Sequence, residues 1–222
     1  VIDKLLPAPV ITAEAFDDVP VSEMFPEEWA LVARAVPKRQ QEFGTVRSCA
    51  REALGRLGFA PAPLLPAADR APQWPDGVVG ALTHCDGYRG AAVARATDVL
   101  TLGLDAEPHA PVGDPGVLKL VALPEERAEL ARLAELVPDV CWDRLLFSAK
   151  ESVYKAWYPL ARRWLGFEDA RITLDPTDAT FTARFRVPGP VVGGRELTGF
   201  SGRWLIGSGL VTTAVVLPAN RI

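Results

Sequence analysis

The chain has 222 residues, 49% hydrophobic and 23% charged, which fits a globular protein of one large or two small domains and excludes an extended disordered chain. A net charge of −4 gives no global attraction for nucleic-acid phosphates, so any anion binding must be local. Cys49, Cys85 and Cys141 are odd in number, widely spaced and free of a CxxC pair, which argues against a disulfide framework or a zinc knuckle and fits a reducing cytoplasm.

The N-terminal VIDKLLPAPVITAEAF lacks the basic head and unbroken apolar segment of a signal peptide, and no run approaches the roughly 18 apolar residues of a membrane span. From Val36 to Gly58, Phe43, Val46, Ala50, Ala53, Leu54 and Leu57 keep helical spacing, with Gly58 as the stop. Between Ala30 and Ala60 there are six basic residues (Arg34, Lys38, Arg39, Arg47, Arg51, Arg56) against Glu42 and Glu52, a local surplus of four; by itself this reads as a solvated helix face. Phe59 to Gly77 is proline-rich and reads as a long loop, of the kind that is often functional. VVGALTH and GYRGAAVARA read as two short strands joined by a turn at Cys85 to Gly87.

In DVLTLGLDAEP, strand alternation sends Leu102, Leu104 and Ala106 to one side and Gly103, Asp105 and Glu107 to the other. The two carboxylates therefore leave the strand end together, roughly 6–7 Å apart, and Pro108 closes it. Gly116 to Val137 and Trp142 to Trp157 read as helices, the first opened by LPEERAEL with Pro at the start and acids in the first turn, and ARITLD, ATFTARFRV and FSGRWLIGSGLVTTAVVL as strands, the last with a hairpin turn at Gly207 to Gly209. This order, without strict βαβ alternation, predicts an α+β fold.

Lys150 falls within the apolar arc of its helix, so its ammonium must either reach the rim or meet an anion. Paired acids such as Asp105 and Glu107 suit a hard divalent cation, commonly shared with phosphate, and Glu151 is the candidate third ligand. Read locally, Glu151 and Lys155 are a surface ion pair at i, i+4 spacing.

Four blocks in order, KRQQEFGTVRSCAREALGRLG, WPDGVVGALTHCDGYRGAAVA, LGLDAEPH and FSAKESVYKAWYPL with RRWLGFEDA, span most of Ala33 to Leu217. The chain thereby resembles the 4′-phosphopantetheinyl transferases of the surfactin-synthetase-activating type, in the enterobactin-type branch with its mycobacterial and streptomycete relatives. The resemblance implies two similar α/β halves packed pseudo-symmetrically, residues 1–98 and 99–222, with the active site at their interface. It implies Mg²⁺-dependent transfer of the 4′-phosphopantetheine arm of coenzyme A to a serine of an acyl or peptidyl carrier protein, releasing adenosine 3′,5′-bisphosphate. The carrier would belong to polyketide, peptide, siderophore or fatty-acid synthesis. Relatives of this kind act as monomers.

By the same resemblance Asp105, Glu107 and Glu151 hold Mg²⁺, Glu151 takes the serine proton directly or through a metal-bound water, Lys150 meets phosphate oxygens, and Lys155 sits near the pyrophosphate or the adenylate. Thr83, His84, Arg39 and Arg47 hold the 3′-phosphate. Arg70 is the only basic side chain available for the contact that relatives make from the loop before WP. Tyr154, Trp164, Leu165 and Phe147 offer an apolar slot for the pantetheine arm, with core packing the more frequent use of such aromatics. His109 has no assigned role. Two other readings differ in class: a metal-dependent nuclease, opposed by the charge balance, and a non-catalytic coenzyme A-binding or carrier-docking module. Alternation along the strand opposes a His84–Cys85 nucleophilic pair.

Overall fold

The computed structural model describes residues 1–221. An opening turn of helix, α1 (Ile2–Leu5), leads to strand β1 (Ile11–Ala15), the short helix α2 (Pro26–Val32) and the 20-residue helix α3 (Pro37–Arg56). Pro37 begins α3, where a missing N–H costs nothing, and Gly58, at φ +93°, turns the chain away after it. Strands β2 (Val78–Cys85) and β3 (Tyr88–Arg95) form a hairpin, and β1 pairs on the far side of β3 to complete a sheet of order β1-β3-β2. Helix α3 lies on this sheet, burying Cys49, Ala50, Ala53 and Leu54 against Ala13, Ala91 and Val93.

The second sheet is antiparallel, in the order β4-β10-β9-β6-β5, and comprises β4 (Val99–Pro108), β5 (Ala170–Asp175), β6 (Thr180–Phe185), β9 (Gly199–Gly207) and β10 (Leu210–Pro218). A small ribbon of β7 (Val191–Val192) and β8 (Arg195–Glu196) precedes β9. The β9–β10 hairpin turns through Ser208 and Gly209, both at positive φ, as the sequence predicts.

One reading is corrected. Residues 116–137 are not a single helix but α4 (Pro115–Val121) and α5 (Pro124–Leu136). Pro124 disfavours helical backbone at Leu123, which sits at φ −60°, ψ 155°, so the helix breaks and restarts. Helix α6 (Trp142–Ala161) runs one turn past Trp157 and stops at Arg162 in the left-handed conformation.

Helix α6 lies along β4. A Cβ on Gly103 would come within 1.9 Å of the Ser152 carbonyl, so only glycine permits this approach. The Thr101 hydroxyl donates to the Ala156 carbonyl (2.7 Å), and Ser148 and Thr213 of β10 share hydrogen bonds of 2.8 and 2.9 Å. The opposite face of β4 (Leu102, Leu104, Ala106) is buried against Ile2, Leu5 and Ala81, so this strand is covered on both sides. Thr83 of β2 accepts the Ala106 amide (2.9 Å), which ties the two sheets together near their ends. No helix among the described residues is long and apolar enough to cross a membrane.

Candidate active site

The face of β4 that carries Thr101 and Gly103 continues to Asp105 and Glu107, and α6 supplies a partner for each step. Lys155 donates to Asp105 Oδ1 (2.8 Å) and to the Leu104 carbonyl (2.9 Å), and Arg144 donates to Glu107 Oε2 (2.9 Å). Asp105 Oδ2 is buried and has no hydrogen-bond partner among the described residues, a costly arrangement for a carboxylate oxygen. Burial first, and the Asp105 charge second, push the Glu107 carboxyl up to about 7 against the pull of Arg144. The Glu151 carboxyl is raised by the same two causes in the same order, with Lys155 opposing. Asp105 thus stands electrostatically between the two glutamates.

Among the described residues no three His, Cys, Asp or Glu side chains are gathered closely enough to hold a metal ion. The expected three-carboxylate centre is therefore not closed in this geometry, because Lys155 and Arg144 balance the charge of Asp105 and Glu107. The donor set itself fits a hard divalent cation: oxygen ligands, excess negative charge, and one buried oxygen without a donor.

Basic groups border these acids. Arg39 donates to His84 Nε2 (3.1 Å), so this nitrogen is unprotonated, and Glu42 Oε2 lies 3.8 Å from Nδ1. Burial and then Arg39 hold the imidazole below its ordinary value, with Glu42 opposing and Lys155 adding to the depression. Cys85, the next residue, is pushed up to about 12 by burial, Glu107 and Asp105, which suppresses its thiolate and disposes of a thiol nucleophile. The end of β2 therefore adjoins the carboxylates.

A cavity of about 110 Å³ opens beside Glu151, lined by Tyr154, Trp164, Leu165, Gly166 and Phe167 among others. Tyr154 packs against Trp164 (4.9 Å between ring centroids), and Trp164 is 74% exposed, so the slot has an aromatic wall open to solvent. Phe147, expected to line the slot, does not line this cavity; its ring lies 6.0 Å from that of Phe167, which does.

Three expected ligands are placed otherwise. Lys150 does meet an anion, but the anion is Glu126, 2.8 Å away, with side chains 2% and 1% exposed; its ammonium also donates to the Phe167 carbonyl. Arg47 is buried, stacked on the Phe43 ring, and donates from Nε to the Leu64 carbonyl (2.9 Å). Burial pushes it down to about 10, and it does not form an exposed two-guanidinium clamp with Arg39. Thr83 is 2% exposed and spent on Ala106. Arg70 is exposed at the tip of the proline-rich loop, at φ +69°.

Sequence reasoning passed over Arg144, Glu42 and Glu126. Arg144 carries no local signal, since its side-chain partners lie far away in the chain, and the local signal of Glu126, at the third position of α5 where it accepts the Leu123 amide, says nothing of Lys150. Glu42 had one, its i, i+3 spacing from Arg39. His109, left without a role, accepts the Cys141 amide (3.2 Å) and steadies the entry to α6.

Residues 27–94 match the 4′-phosphopantetheinyl transferase N-terminal domain, and residues 101–191 the 4′-phosphopantetheinyl transferase superfamily. The chain is 62% identical to 4′-phosphopantetheinyl transferase Svp of Streptomyces mobaraensis, over 98% of this chain and 89% of that protein. It is 49% identical to 4′-phosphopantetheinyl transferase PptT of Mycobacterium tuberculosis, over 96% of each. Enterobactin synthase component D of Salmonella typhimurium is 31% identical over 61% of this chain and 55% of that protein. A fold of two joined sheets with opposed acidic and basic groups at the join is thus the scaffold of a transferase. The chain belongs to the 4′-phosphopantetheinyl transferase family of enzymes.

Proposed function

We propose that this enzyme transfers the 4′-phosphopantetheine arm of coenzyme A to a serine hydroxyl of an acyl or peptidyl carrier protein and releases adenosine 3′,5′-bisphosphate. The observation that carries the proposal is the buried Asp105 Oδ2, without a hydrogen-bond partner among the described residues, whose carboxylate makes both Glu107 and Glu151 harder to ionise. Asp105, Glu107 and Glu151 would hold Mg²⁺, which when bound neutralises the pyrophosphate and stabilises charge on the departing phosphate.

The remaining work falls to side chains. Lys155, 27% exposed, carries the positive charge paired with Asp105 and meets a pyrophosphate oxygen. Arg39 and His84 receive the 3′-phosphate at the end of β2, where the guanidinium offers a fork and the imidazole a ring N–H. The arm lies in the slot walled by Tyr154, Trp164 and Leu165. Glu151, whose raised carboxyl binds a proton more readily than an exposed one, takes the serine proton as the oxygen attacks the β-phosphorus of coenzyme A. The P–O bond to the nucleotide breaks, and the leaving group departs with that electron pair. Two halves, 1–98 and 99–222, related pseudo-symmetrically and functioning as a monomer, complete the reading. Each supplies one long helix on one sheet and one wall of the site.

The test is intact-mass analysis of an apo carrier incubated with the protein, coenzyme A and Mg²⁺. A gain of one phosphopantetheine on a serine is expected, lost with EDTA and restored by Mg²⁺. An unmodified carrier across a panel from peptide, polyketide and siderophore synthesis would refute the proposal.

A further inference from the structure

The loop after α3 forms a finger that bridges helices α2 and α3 to the end of α6. Its root is fixed in the first half: Leu64 is 2% exposed, its amide donates to Glu28 (2.9 Å), and its carbonyl accepts from Arg47. Three backbone hydrogen bonds close the finger into a tight turn: Ala67 N to Ala71 O, Arg70 N to Ala67 O, and Gln73 N to Leu65 O. Its tip touches the second half. Asp69 Oδ2 accepts from the Tyr158 hydroxyl (2.9 Å) and faces Arg162 Nη1 (3.4 Å), both from the end of α6, while Oδ1 accepts the Ala71 amide.

Two left-handed residues flank this contact, Arg70 at φ +69° and Arg162 at φ +50°. Neither is glycine, and such conformations persist where surrounding contacts fix them. The tip also lies beside the site: Tyr158, which donates to Asp69, packs its ring 5.8 Å from that of Tyr154, and Tyr154 lines the cavity next to Glu151.

Resting on the function proposed above, we propose that Asp69 is a positioning residue. By latching the Leu65–Gln73 turn to the last turn of α6, it fixes Arg70 at the mouth of the cleft, where Arg70 takes a phosphate of coenzyme A. An exposed pair of this kind adds little to global stability, so its effect is expected in substrate affinity and not in the unfolding midpoint.

Transfer rates to an apo carrier, followed by intact mass over a range of coenzyme A concentrations, test the latch. Asp69→Ala and Arg70→Ala should each raise KM for coenzyme A about fivefold to tenfold, and Tyr158→Phe about twofold to threefold, with kcat, carrier KM and thermal midpoint unchanged. Asp69→Ala combined with Arg70→Ala should be no worse than Arg70→Ala alone, since both remove the same contact. A wild-type KM in Asp69→Ala, or single effects that multiply in the double variant, would overturn the latch while leaving the transfer reaction standing. A wild-type protein that modifies no carrier would overturn both.

Discussion

Replacing Lys150 by Met separates two accounts of the KES segment. The Lys150–Glu126 pair is 2.8 Å long and almost sealed from solvent, and removing one member of such a pair costs about 3–5 kcal/mol, because the other is left charged and buried. Glu126 would not be wholly stranded, since its carboxylate also accepts the amides of Leu123 and Ile172, each at 2.7 Å. The expected loss is therefore at the lower end, about 3 kcal/mol, which for a urea slope of about 3 kcal/mol/M moves the midpoint down by about 1 M. Glu126→Ala removes the acceptor from three donors at once and should cost more, on the order of 5 kcal/mol. Urea unfolding followed by tryptophan fluorescence measures both.

Because the ammonium is engaged by Glu126 and the Phe167 carbonyl, Lys150→Met should keep KM for coenzyme A within about twofold of wild type at a temperature where it is folded. A variant as stable as wild type whose KM rises about tenfold would refute this reasoning and return Lys150 to the phosphate.

Arg39 and Arg47, eight residues apart on one helix, should fail differently. Arg39→Ala should raise KM for coenzyme A about tenfold with little change in stability, whereas Arg47→Ala should lower the unfolding free energy by about 2 kcal/mol through the lost Leu64 contact and Phe43 stack. Parallel kinetics and urea melts would reveal an exchange of these effects. Gly103→Ala should give little folded protein, because the added methyl meets helix backbone at 1.9 Å; a normal melting curve would contradict the packing of α6 on β4. The thiols of Cys49 and Cys85, pushed up to about 11 and about 12 from 9.0, should resist iodoacetamide at pH 8, with Cys85 about a thousandfold slower than a free thiol. Both folded values exceed the unfolded ones, so their contribution to stability is full below pH 9 and is lost as pH rises through about 9 to 12, measurable as a falling melting point.

The parts of this site that follow from strand period and helix spacing were legible in the sequence. Alternation in LGLDAEP put Asp105 and Glu107 on one face, and the helix through Lys155 was evident from its apolar arc. Arg39 and Arg47 looked equivalent because helix spacing says nothing about what lies over each. Leu64, delivered by a loop with no regular period, covers Arg47 and leaves Arg39 in the open. The oddity of a lysine in an apolar stripe was a sound signal, but its partner sits in another helix. A buried charge announces that an anion is near without saying whether it comes from the chain or from a ligand. The start at Pro124 was legible from LPEERAEL, with its proline and first-turn acids, whereas the short helix before it was not told apart from it.

The bond between Thr83 and Ala106 explains why acids and bases share one cleft. Successive residues of a strand point to opposite sides, so turning Thr83 inward to accept the Ala106 amide turns His84 outward, toward Arg39. The same bond holds Ala106 against β2, and its neighbours Asp105 and Glu107 must then face away, toward Lys155 and Arg144 on α6. One inter-sheet hydrogen bond thus sets the orientation of both charged groups, and a one-residue slip in either strand would send one of them into the core. A substrate carrying several phosphates needs cations at its far end and tolerates carboxylates only where a metal can intervene. The join between the sheets is where this protein brings both kinds of group together, which is why the transfer proposed above would take place there.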